Sequence, residues 1–304
     1  MKKLQTNKWI LMAAIIGVSF ASCDKDDDKD TTPADPTTQK ITVNLSGLED
    51  LGADFVYEGW LIVSDAPVST GTFTVDANGE QSKTEFTVNI SDADAATKFV
   101  LSIEPEDDSD PAPAATKILA GDFSGSSAEL TIAPVGDFSN AAGKYILATP
   151  TNGPDTDENS GIWFLDLSSG TPTVGLTLPT LPAGWKYEGW TVINGTPVTT
   201  GTFTNVAATD EADPYSGSMA LPPVNEDDGF FPGEDFLENA PDMLDFPTDI
   251  AGGTAVISVE PDPDNSAGPF TLKPLVHGID AMATDHVTYD MGQNLNFPTG
   301  TVTK

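Results

Sequence analysis

A long motif occurs twice in this 304-residue sequence, in the same register both times. The residues Tyr-Glu-Gly-Trp stand at 57–60 and again at 187–190. The residues Pro-Val-Ser/Thr-Thr-Gly-Thr-Phe-Thr follow at 67–74 and at 197–204, so both pieces recur 130 positions later. Because this offset is kept across an intervening segment whose sequence differs, the repeat indicates two copies of one folding unit. We therefore predict two related domains.

The local pattern within the first copy is that of short β-strands. Alternating or β-branched runs are separated by turns, and the chain has 27 glycines and 24 prolines but no long helical periodicity. About seven short strands at this spacing are typical of an antiparallel, immunoglobulin-like β-sandwich. The predicted strands are 40–45, 55–64, 71–75, 85–90, 98–104, 117–121 and 128–132. We expect an all-β chain with two tandem sandwich domains, over 41–134 and 143–304.

The second copy is longer than the first. It begins with β-like runs at 143–149 and 161–165, which predict a hairpin across an acidic turn. The segment Leu-Ser-Ile-Glu-Pro at 101–105 corresponds to Ile-Ser-Val-Glu-Pro at 257–261, an offset of 156, so the second copy has gained 26 residues. Shared core positions are predicted where apolar residues keep the offset of 130. These pairs are Leu48 with Leu178, Leu51 with Leu181, and Phe55 with Trp185.

The insertion lies within 208–251 and is both acidic and aromatic. It contains several large apolar side chains, and in a folded protein such side chains are usually covered by other groups. One interpretation is a flap that faces a ligand or a partner. The other is a long loop whose aromatic side chains fold back over the sandwich. The apolar residues concerned are Phe230, Phe231, Phe236, Leu244 and Phe246.

The first 23 residues have the pattern of an export signal. Lysines at positions 2, 3 and 8 precede the apolar run 9–18, which is short for a membrane span. The run leads to Phe-Ala-Ser before Cys23, which resembles a bacterial lipobox. By that resemblance Cys23 becomes the lipidated first residue of a protein anchored to the outer membrane. The alternative is an ordinary thiol of the leader. Cys23 is the only cysteine, so we expect no intramolecular disulfide.

The stretch 24–40 is predicted to be a disordered, acidic tether, because it offers almost nothing to bury. Its acidic start directly after Cys23 resembles the surface-export signals of Bacteroidetes lipoproteins. That resemblance implies the cell surface rather than the periplasmic face of the outer membrane. The alternative is a spacer that only lifts the domains away from the membrane.

The charge of the chain narrows the choice of partners. It has 47 acidic residues, 13 lysines and no arginine, with a formal net charge of −34. Phosphate recognition depends on clustered basic side chains, so nucleic acid is not expected as a partner. Divalent cations, basic partners or a saline medium fit better. The charge also has a simpler interpretation, which is solubility of an exported protein.

Residues for catalysis are few. The only histidines are His277 and His286, no Gly-x-Ser-x-Gly nucleophile elbow occurs, and no carboxylate pair stands out among so many acids. We therefore predict that the chain is not an enzyme. A carbohydrate-active enzyme is the third hypothesis, after the two given below.

One acidic segment has the spacing of a calcium loop. Asp155, Asp157 and Asn159 carry oxygens at alternate positions, and Asp166 follows eleven residues after the first. Ser160 stands where such a loop needs glycine, and the flanks have strand patterns rather than helical ones. The segment is therefore a candidate calcium site, with an acidic hairpin turn as the alternative.

Other repeated or acidic residues are interpreted as folding signals. The sequence Asp-Pro-Asp-Asn at 262–265 is a weaker cation candidate, because Pro263 stiffens it and no later acid nearby completes a shell. Glu104 and Glu260 each precede a proline at a strand end. The glycine before each repeated tryptophan predicts a large ring that needs room beside the backbone.

Three motifs in order resemble the extracytoplasmic domain of anti-sigma-K factors. They are the Tyr-x-x-Trp strand at 57–60, the hairpin Pro-x-x-x-Gly-x-Phe at 67–73 and the strand Ser-Ile-Glu-Pro at 102–105. The same elements recur at 187–190, 197–203 and 258–261, so the resemblance extends over most of 41–134 and 143–275.

The resemblance implies an exported β domain that binds or senses, without catalysis. The family contacts its sigma factor through a cytoplasmic segment behind a membrane helix, and we expect neither in a chain exported behind Cys23. No direct contact with a cytoplasmic sigma factor is therefore expected, and the partner is an unidentified protein or glycan. The second hypothesis is a structural or adhesive envelope lipoprotein stabilised by divalent cations.

Overall fold

The computed structural model describes residues 35–220, 230–264 and 266–304. The predicted signal peptide, the lipidation site Cys23 and the tether up to residue 34 lie outside the described residues. From Pro36 to Lys304 the chain forms one compact unit. No helix among the described residues is long and apolar enough to cross a membrane.

Antiparallel strands make up almost all of the regular secondary structure among the described residues, with a six-residue helix α1 (Ile90–Ala95) and a 3₁₀ turn at Glu158–Ser160. The strands are β1 (Thr38–Ser46), β2 (Phe55–Val63), β3 (Ala66–Phe73), β4 (Glu85–Asn89), β5 (Ala96–Pro105), β6 (Lys117–Asp122), β7 (Ser127–Leu130), β8 (Ala142–Leu147), β9 (Gly161–Trp163), β10 (Leu165–Asp166), β11 (Thr173–Val174), β12 (Leu176–Thr177), β13 (Trp185–Ile193), β14 (Thr196–Phe203), β15 (Gly233–Asp235), β16 (Thr254–Pro261), β17 (Leu275–Gly278), β18 (Tyr289–Gln293) and β19 (Thr299–Thr303).

The seven strands predicted in the first copy are all present as β1 to β7. Six are close to their expected bounds, whereas β3 begins at Ala66, five residues before the predicted start, because it pairs with β2 directly from the turn. The all-β prediction is therefore confirmed. Helix α1 was not predicted, because six residues are too few for a helical period to be visible.

The repeated motif forms the same hairpin twice, β2 with β3 and β13 with β14. Each hairpin turns through two residues with positive φ, Ser64 and Asp65 in the first and Asn194 and Gly195 in the second. Such turns match the twist of the paired strands. Both ladders also shift register at the Gly-Trp step of the motif, so the local geometry is repeated as well as the sequence.

Two four-stranded sheets surround the core of the first half, which gives the expected sandwich-like arrangement. One has the order β3-β2-β5-β6 and the other β4-β1-β19-β7. Strand β19 comes from the far end of the sequence, and its Val302 lies opposite Val43 of β1 and Ala128 of β7. The division into domains at 41–134 and 143–304 stays a prediction, and β19 crosses it.

The second half is built around a nine-stranded sheet. Its order is β14-β13-β16-β17-β18-β8-β9-β15, with β12 added beside β8, and β10 and β11 form a separate ribbon. The predicted hairpin of the second copy is confirmed, since Ile146 and Leu147 of β8 pair with Trp163 and Ile162 of β9.

The apolar positions predicted to be shared do lie in or against the core. Leu48 and Trp185 are buried, and the other four are partly buried against the main hydrophobic cluster. The motif tyrosines act alike, because Tyr57 and Tyr187 each stack on a phenylalanine at a centroid distance of 5.6 Å. The repeat is therefore a packing unit.

In both copies the glycine of the motif leaves room for a buried phenyl ring, but the phenylalanine that supplies the ring comes from a different part of the chain in each copy. A Cβ at Gly59 would lie 2.7 Å from Phe99, and one at Gly189 would lie 2.7 Å from Phe164. Phe99 comes from β5, and its register counterpart on β16 is Ala255. Phe164 lies between β9 and β10, in another part of the chain. Its ring therefore fills the space beside Gly189 that Ala255 of β16 leaves open.

The described part of the insertion folds back onto the protein. Its strand β15 pairs with β9, and Phe236 is fully buried in the main cluster. Phe231 is buried in a second, smaller cluster around Trp163. The fold-back interpretation therefore holds for these aromatic residues, whereas the acidic segment 221–229 lies outside the described residues.

Candidate functional sites

A buried chain of hydrogen bonds runs through the first copy from a tryptophan to a glutamate. The Trp60 Nε1 donates to Ser102 Oγ at 2.8 Å, and Ser102 donates to Glu104. The Glu104 Oε1 also accepts the backbone N–H of Ala114 at 2.9 Å. Ser102 and Glu104 are almost fully buried, and burial raises the pKa of the Glu104 carboxyl.

The second copy contains the same chain of hydrogen bonds. The Trp190 Nε1 donates to Ser258 Oγ at 2.8 Å, Ser258 donates to Glu260, and Glu260 Oε1 accepts the N–H of Phe270 at 2.9 Å. The register of β13 on β16 places Glu188 opposite Ser258, so Glu188 and Glu260 are diagonal neighbours on one face of the sheet.

The motif glutamate of each copy is also held by a hydroxyl. Ser69 donates to Glu58 in the first copy, and Thr199 donates to Glu188 in the second. The two environments differ, because Glu58 is half-buried whereas Glu188 is only 6 % exposed.

In the second copy these glutamates meet a third carboxylate. One oxygen from each of Glu188, Glu260 and Asp264 lies within 4.8 Å of the other two. The Oε2 atoms of Glu188 and Glu260 are buried and accept no hydrogen bond. Burial, with the nearby charge of Asp264, raises the pKa of Glu188 to about 7 and that of Glu260 to about 8. The corresponding acids of the first copy, Glu58, Glu104 and Asp108, form no such group in the described structure.

Lys273 and Glu49 also interact electrostatically with residues of this cluster. Burial lowers the pKa of Lys273, against the opposing effects of Glu49 and Glu260. Burial also raises the pKa of Glu49 to about 7, and the charge of Asp264 acts in the same direction. In the part of the chain that is described, no lysine Nζ lies within 4.0 Å of a carboxylate oxygen of Glu188, Glu260 or Asp264.

The structure places the four predicted calcium ligands in different roles. Asp155 and Asp157 have positive φ in the turn after β8, and Asn159 donates weakly to Asp249 and to a backbone carbonyl. Asp166 accepts a hydrogen bond from Lys144 Nζ at 2.6 Å, which holds the pKa of that carboxyl well below its usual range. The described structure does not bring the three aspartates within 4.8 Å of one another. Calcium binding at this loop stays a prediction.

Three acids stabilise the insertion, and one of them, Asp235, attaches it to the rest of the chain. Asp235 accepts bonds from Thr151 and from Trp163 Nε1, the latter at 2.8 Å, and Glu234 accepts from Ser216 and from two backbone N–H groups. Asp210 accepts the N–H of Gly233 at 2.9 Å. Burial raises the pKa of all three carboxyls, that of Glu234 to about 7 and that of Asp210 to about 8. Both oxygens of Glu234 and of Asp235 are satisfied, as expected for acids that hold a segment in place.

An apolar pocket of about 170 Å³ opens where the insertion meets β8 and β9. Its lining is almost entirely carbon. A second depression of about 340 Å³ continues from it past His286 and ends near Met219 and Glu158. The walls of the pocket that come from large side chains are Ile146, Trp163, Leu165, Leu167, Phe230 and Phe231.

The two histidines have separate local roles. His277 Nδ1 is 2.9 Å from the hydroxyl of Tyr145, and His286 Nδ1 is 2.9 Å from Asp285. Neither belongs to a cluster of three or more potential metal ligands among the described residues.

Sequence reasoning missed the carboxylate cluster of the second copy. It interpreted Glu188 and Glu260 as folding signals and found no acid to complete a shell around Asp264. The missing acids come from strands β13 and β16, not from later positions in the loop. The repeat offsets show that Glu188 corresponds to Glu58 and Glu260 to Glu104, but no local signal in the sequence indicates that β13 pairs with β16.

Residues 14–118 match the family model described as the C-terminal region of the anti-sigma-K factor rskA. The resemblance predicted from the first copy of the motif is therefore confirmed, and the match does not extend to the second copy. No curated protein and no solved structure matches the chain.

Proposed function

We propose that this chain is a noncatalytic, lipid-anchored binding or sensory module that works outside the cytoplasm. Its first part is related to the C-terminal domain of anti-sigma-K factors, a family that acts through regulatory interactions rather than catalysis. The anchor is Cys23, and the acidic residues that follow it favour display on the cell surface. Regulation in this chain would act through partner binding, without direct contact with a cytoplasmic sigma factor.

The apolar pocket beside the insertion is the observation that carries the binding role. It lies in the half of the chain that carries the insertion, and Phe230 and Phe231 of the insertion form part of its wall. Concave apolar sites of this kind are where proteins usually bind ligands. The pocket has room for one large side chain, and the adjoining depression lengthens it into a groove.

The chemistry of the groove favours a protein partner over a glycan. Sugars need polar groups that orient their hydroxyls, and the lining of the apolar pocket offers almost none apart from His286, which lines the adjoining depression together with Glu158. The net charge of −34 favours a partner with basic residues. We infer a segment with an apolar or aromatic side chain flanked by lysines or arginines.

Binding can be tested with arrays of peptides that carry a central Phe, Trp or Leu between basic residues. We expect binding to the full-length protein, and a loss of about tenfold or more for Leu167→Asp, since a charge in the apolar groove must be desolvated. Met243→Asp is the matched control, because Met243 is 91 % exposed and does not line the groove. Equal binding by both variants would exclude the groove, and binding of oligosaccharides in place of peptides would favour a glycan partner.

The anchor and the location need a separate experiment. We expect Cys23→Ala to release the protein from the membrane fraction and to abolish its labelling by radioactive fatty acid. Protease treatment of intact cells should cleave the wild-type protein if it is displayed on the surface. Complete protection from protease would place the domains on the periplasmic face, and unchanged membrane association of Cys23→Ala would exclude the lipid anchor.

A further inference from the structure

The carboxylate cluster of the second copy differs from the other buried acids in its unmet hydrogen-bonding capacity. Glu234 and Asp235 are completely buried, and every carboxylate oxygen of theirs accepts at least one hydrogen bond. Glu188 and Glu260 are 6 % and 1 % exposed, yet the Oε2 of each has no partner. Burying a carboxylate oxygen without a hydrogen-bond partner costs free energy. The two Oε2 atoms are therefore candidates for contact with a bound ligand.

The two glutamates are also held in fixed orientations. Their Oε1 atoms are occupied, that of Glu188 by Thr199 and that of Glu260 by Ser258 and the N–H of Phe270. Outer hydrogen bonds of this kind orient the ligands of metal sites. The Oε2 atoms are therefore the ones left free to bind.

The third acid comes from a loop that is packed over the hairpin. Asp264 follows β16, and further along the same loop a Cβ on Gly268 would lie 3.4 Å from the ring of Pro197 on β14. The loop thus lies against the hairpin and brings a more exposed carboxylate to the two buried ones. The solvent side of the cluster remains open to the binding and release of an ion.

We propose that Glu188, Glu260 and Asp264 form a binding site for a divalent cation, with Ca²⁺ as the preferred ion. This inference is independent of the apolar groove and of its partner. The ligands are all oxygens, which suits a hard cation. Their mutual distances lie within 4.8 Å, which is about twice a Ca–O bond, so three oxygens can reach one Ca²⁺. Mg²⁺ is less suitable, because it requires shorter bonds in a regular octahedron.

Protons should compete with the cation. Because burial raises the pKa of Glu188 to about 7 and of Glu260 to about 8, both carboxyls must lose protons for the site to fill. The charged groups that act on the pair are Asp264, Glu49 and Lys273.

The test uses the full-length protein freed of metal with a chelator at pH 8. Calorimetric titration with CaCl₂ should give about one strong site, and saturating Ca²⁺ should raise Tm by roughly 5 °C. We expect Asp264→Asn to weaken calcium binding by about tenfold or more. Asp108→Asn is the matched control from the first copy, since Asp108 is exposed and belongs to no comparable group, and it should bind like the wild type.

Three outcomes would overturn the proposal. The first is equal calcium binding by Asp264→Asn and the wild type. The second is an equal rise in Tm with Mg²⁺ and Ca²⁺ that NaCl of the same ionic strength reproduces, because that effect is screening. The third is no calcium binding at pH 8 or at pH 9. Glu260→Gln gives a second check on the site, and the groove variant Leu167→Asp should keep the full calcium response.

Discussion

The two copies of the Tyr-Glu-Gly-Trp unit share a scaffold but differ in the chemistry at its edge. Trp60, Ser102 and Glu104 repeat as Trp190, Ser258 and Glu260 with the same hydrogen bonds, although the tryptophan and the serine are 42 residues apart in the first copy and 68 in the second. In the first copy the neighbouring Glu58 is half-buried and Asp108 is exposed. In the second copy the neighbouring acid is buried, and three carboxylates come together.

This comparison shows that the two copies differ in the burial of the motif glutamate and not in residue type. Burial is what makes the acids of the second copy a candidate site, whereas the corresponding acids in the first copy are only part of the folding motif. All three acids of the second cluster have acidic counterparts in the first copy, at offsets of 130 or 156. What changes is the burial of the motif glutamate, because Glu104 and Glu260 are both 1 % exposed, whereas Glu58 is half-buried and Glu188 is 6 % exposed. Desolvation of Glu188 raises the pKa of its carboxyl to about 7.

The largest expected effect comes from the two rings that face the motif glycines. We expect Phe164→Ala to reduce the free energy of unfolding by about 3–5 kcal/mol, because a fully buried ring leaves a cavity. Phe99→Ala is the matched variant in the first copy and should cost a similar amount. Urea unfolding followed by tryptophan fluorescence measures both.

A double variant sharpens this comparison. Ala255 occupies the register position of Phe99, so Ala255→Phe combined with Phe164→Ala should recover part of the lost stability. No recovery would mean that the two copies do not have interchangeable cores at this position.

The next effect should appear in the pH dependence of stability without metal. Glu260 has a pKa of about 8 in the folded chain, compared with 4.5 for the unperturbed group. Between these values the folded chain binds more protons than the unfolded one, so this contribution is complete below pH 4.5 and is lost as the pH rises through 8. Glu260→Gln should therefore change little at pH 5 and stabilise the protein at pH 8.5 by up to about 5 kcal/mol.

Glu104→Gln provides the control for this prediction, since its carboxyl is buried in a similar network but lacks the three-carboxylate group. Its stabilisation at pH 8.5 should be clearly smaller. Thermal unfolding in chelator at pH 5, 7 and 8.5 compares the two variants, and identical pH profiles would mean that the cluster adds nothing.

The smallest effect concerns a lysine that is present in the second copy alone. Lys186 Nζ lies 2.8 Å from Glu211 and 3.6 Å from Asp262, and Val56 is its counterpart in the first copy. These acids are about half exposed, so Lys186→Val should cost less than about 1 kcal/mol. The loss should disappear in 1 M NaCl, and a loss that persists in salt would point to packing by the lysine stem.

Local patterns were sufficient to predict most strands of the first copy and the β8–β9 hairpin, and the repeat offset was sufficient to predict the shared core positions. Alternation and β-branched runs are properties of nearby residues, and the structure confirms the elements that they indicate. The substitution of Phe164 for Phe99 could not be predicted, because the two residues reach one space from unrelated positions in the sequence.

The candidate site needed long-range information. Glu188 and Glu260 meet because β13 pairs with β16 in one specific register, and Asp264 joins them because its loop packs over the hairpin. The calcium prediction at 155–166 followed spacing alone. It missed that Lys144 would bind Asp166, because that contact depends on how strands in the sheet are placed.

The pairing of β19 with β1 and β7 constrains the order in which the chain can fold. During synthesis from the N terminus, β1 and β7 are made long before residues 299–303. Until then, β1 and β7 each lack the neighbour that β19 supplies, and an open strand edge can pair with other chains. The sheet of the first half therefore cannot be completed until the last strand of the sequence has been made.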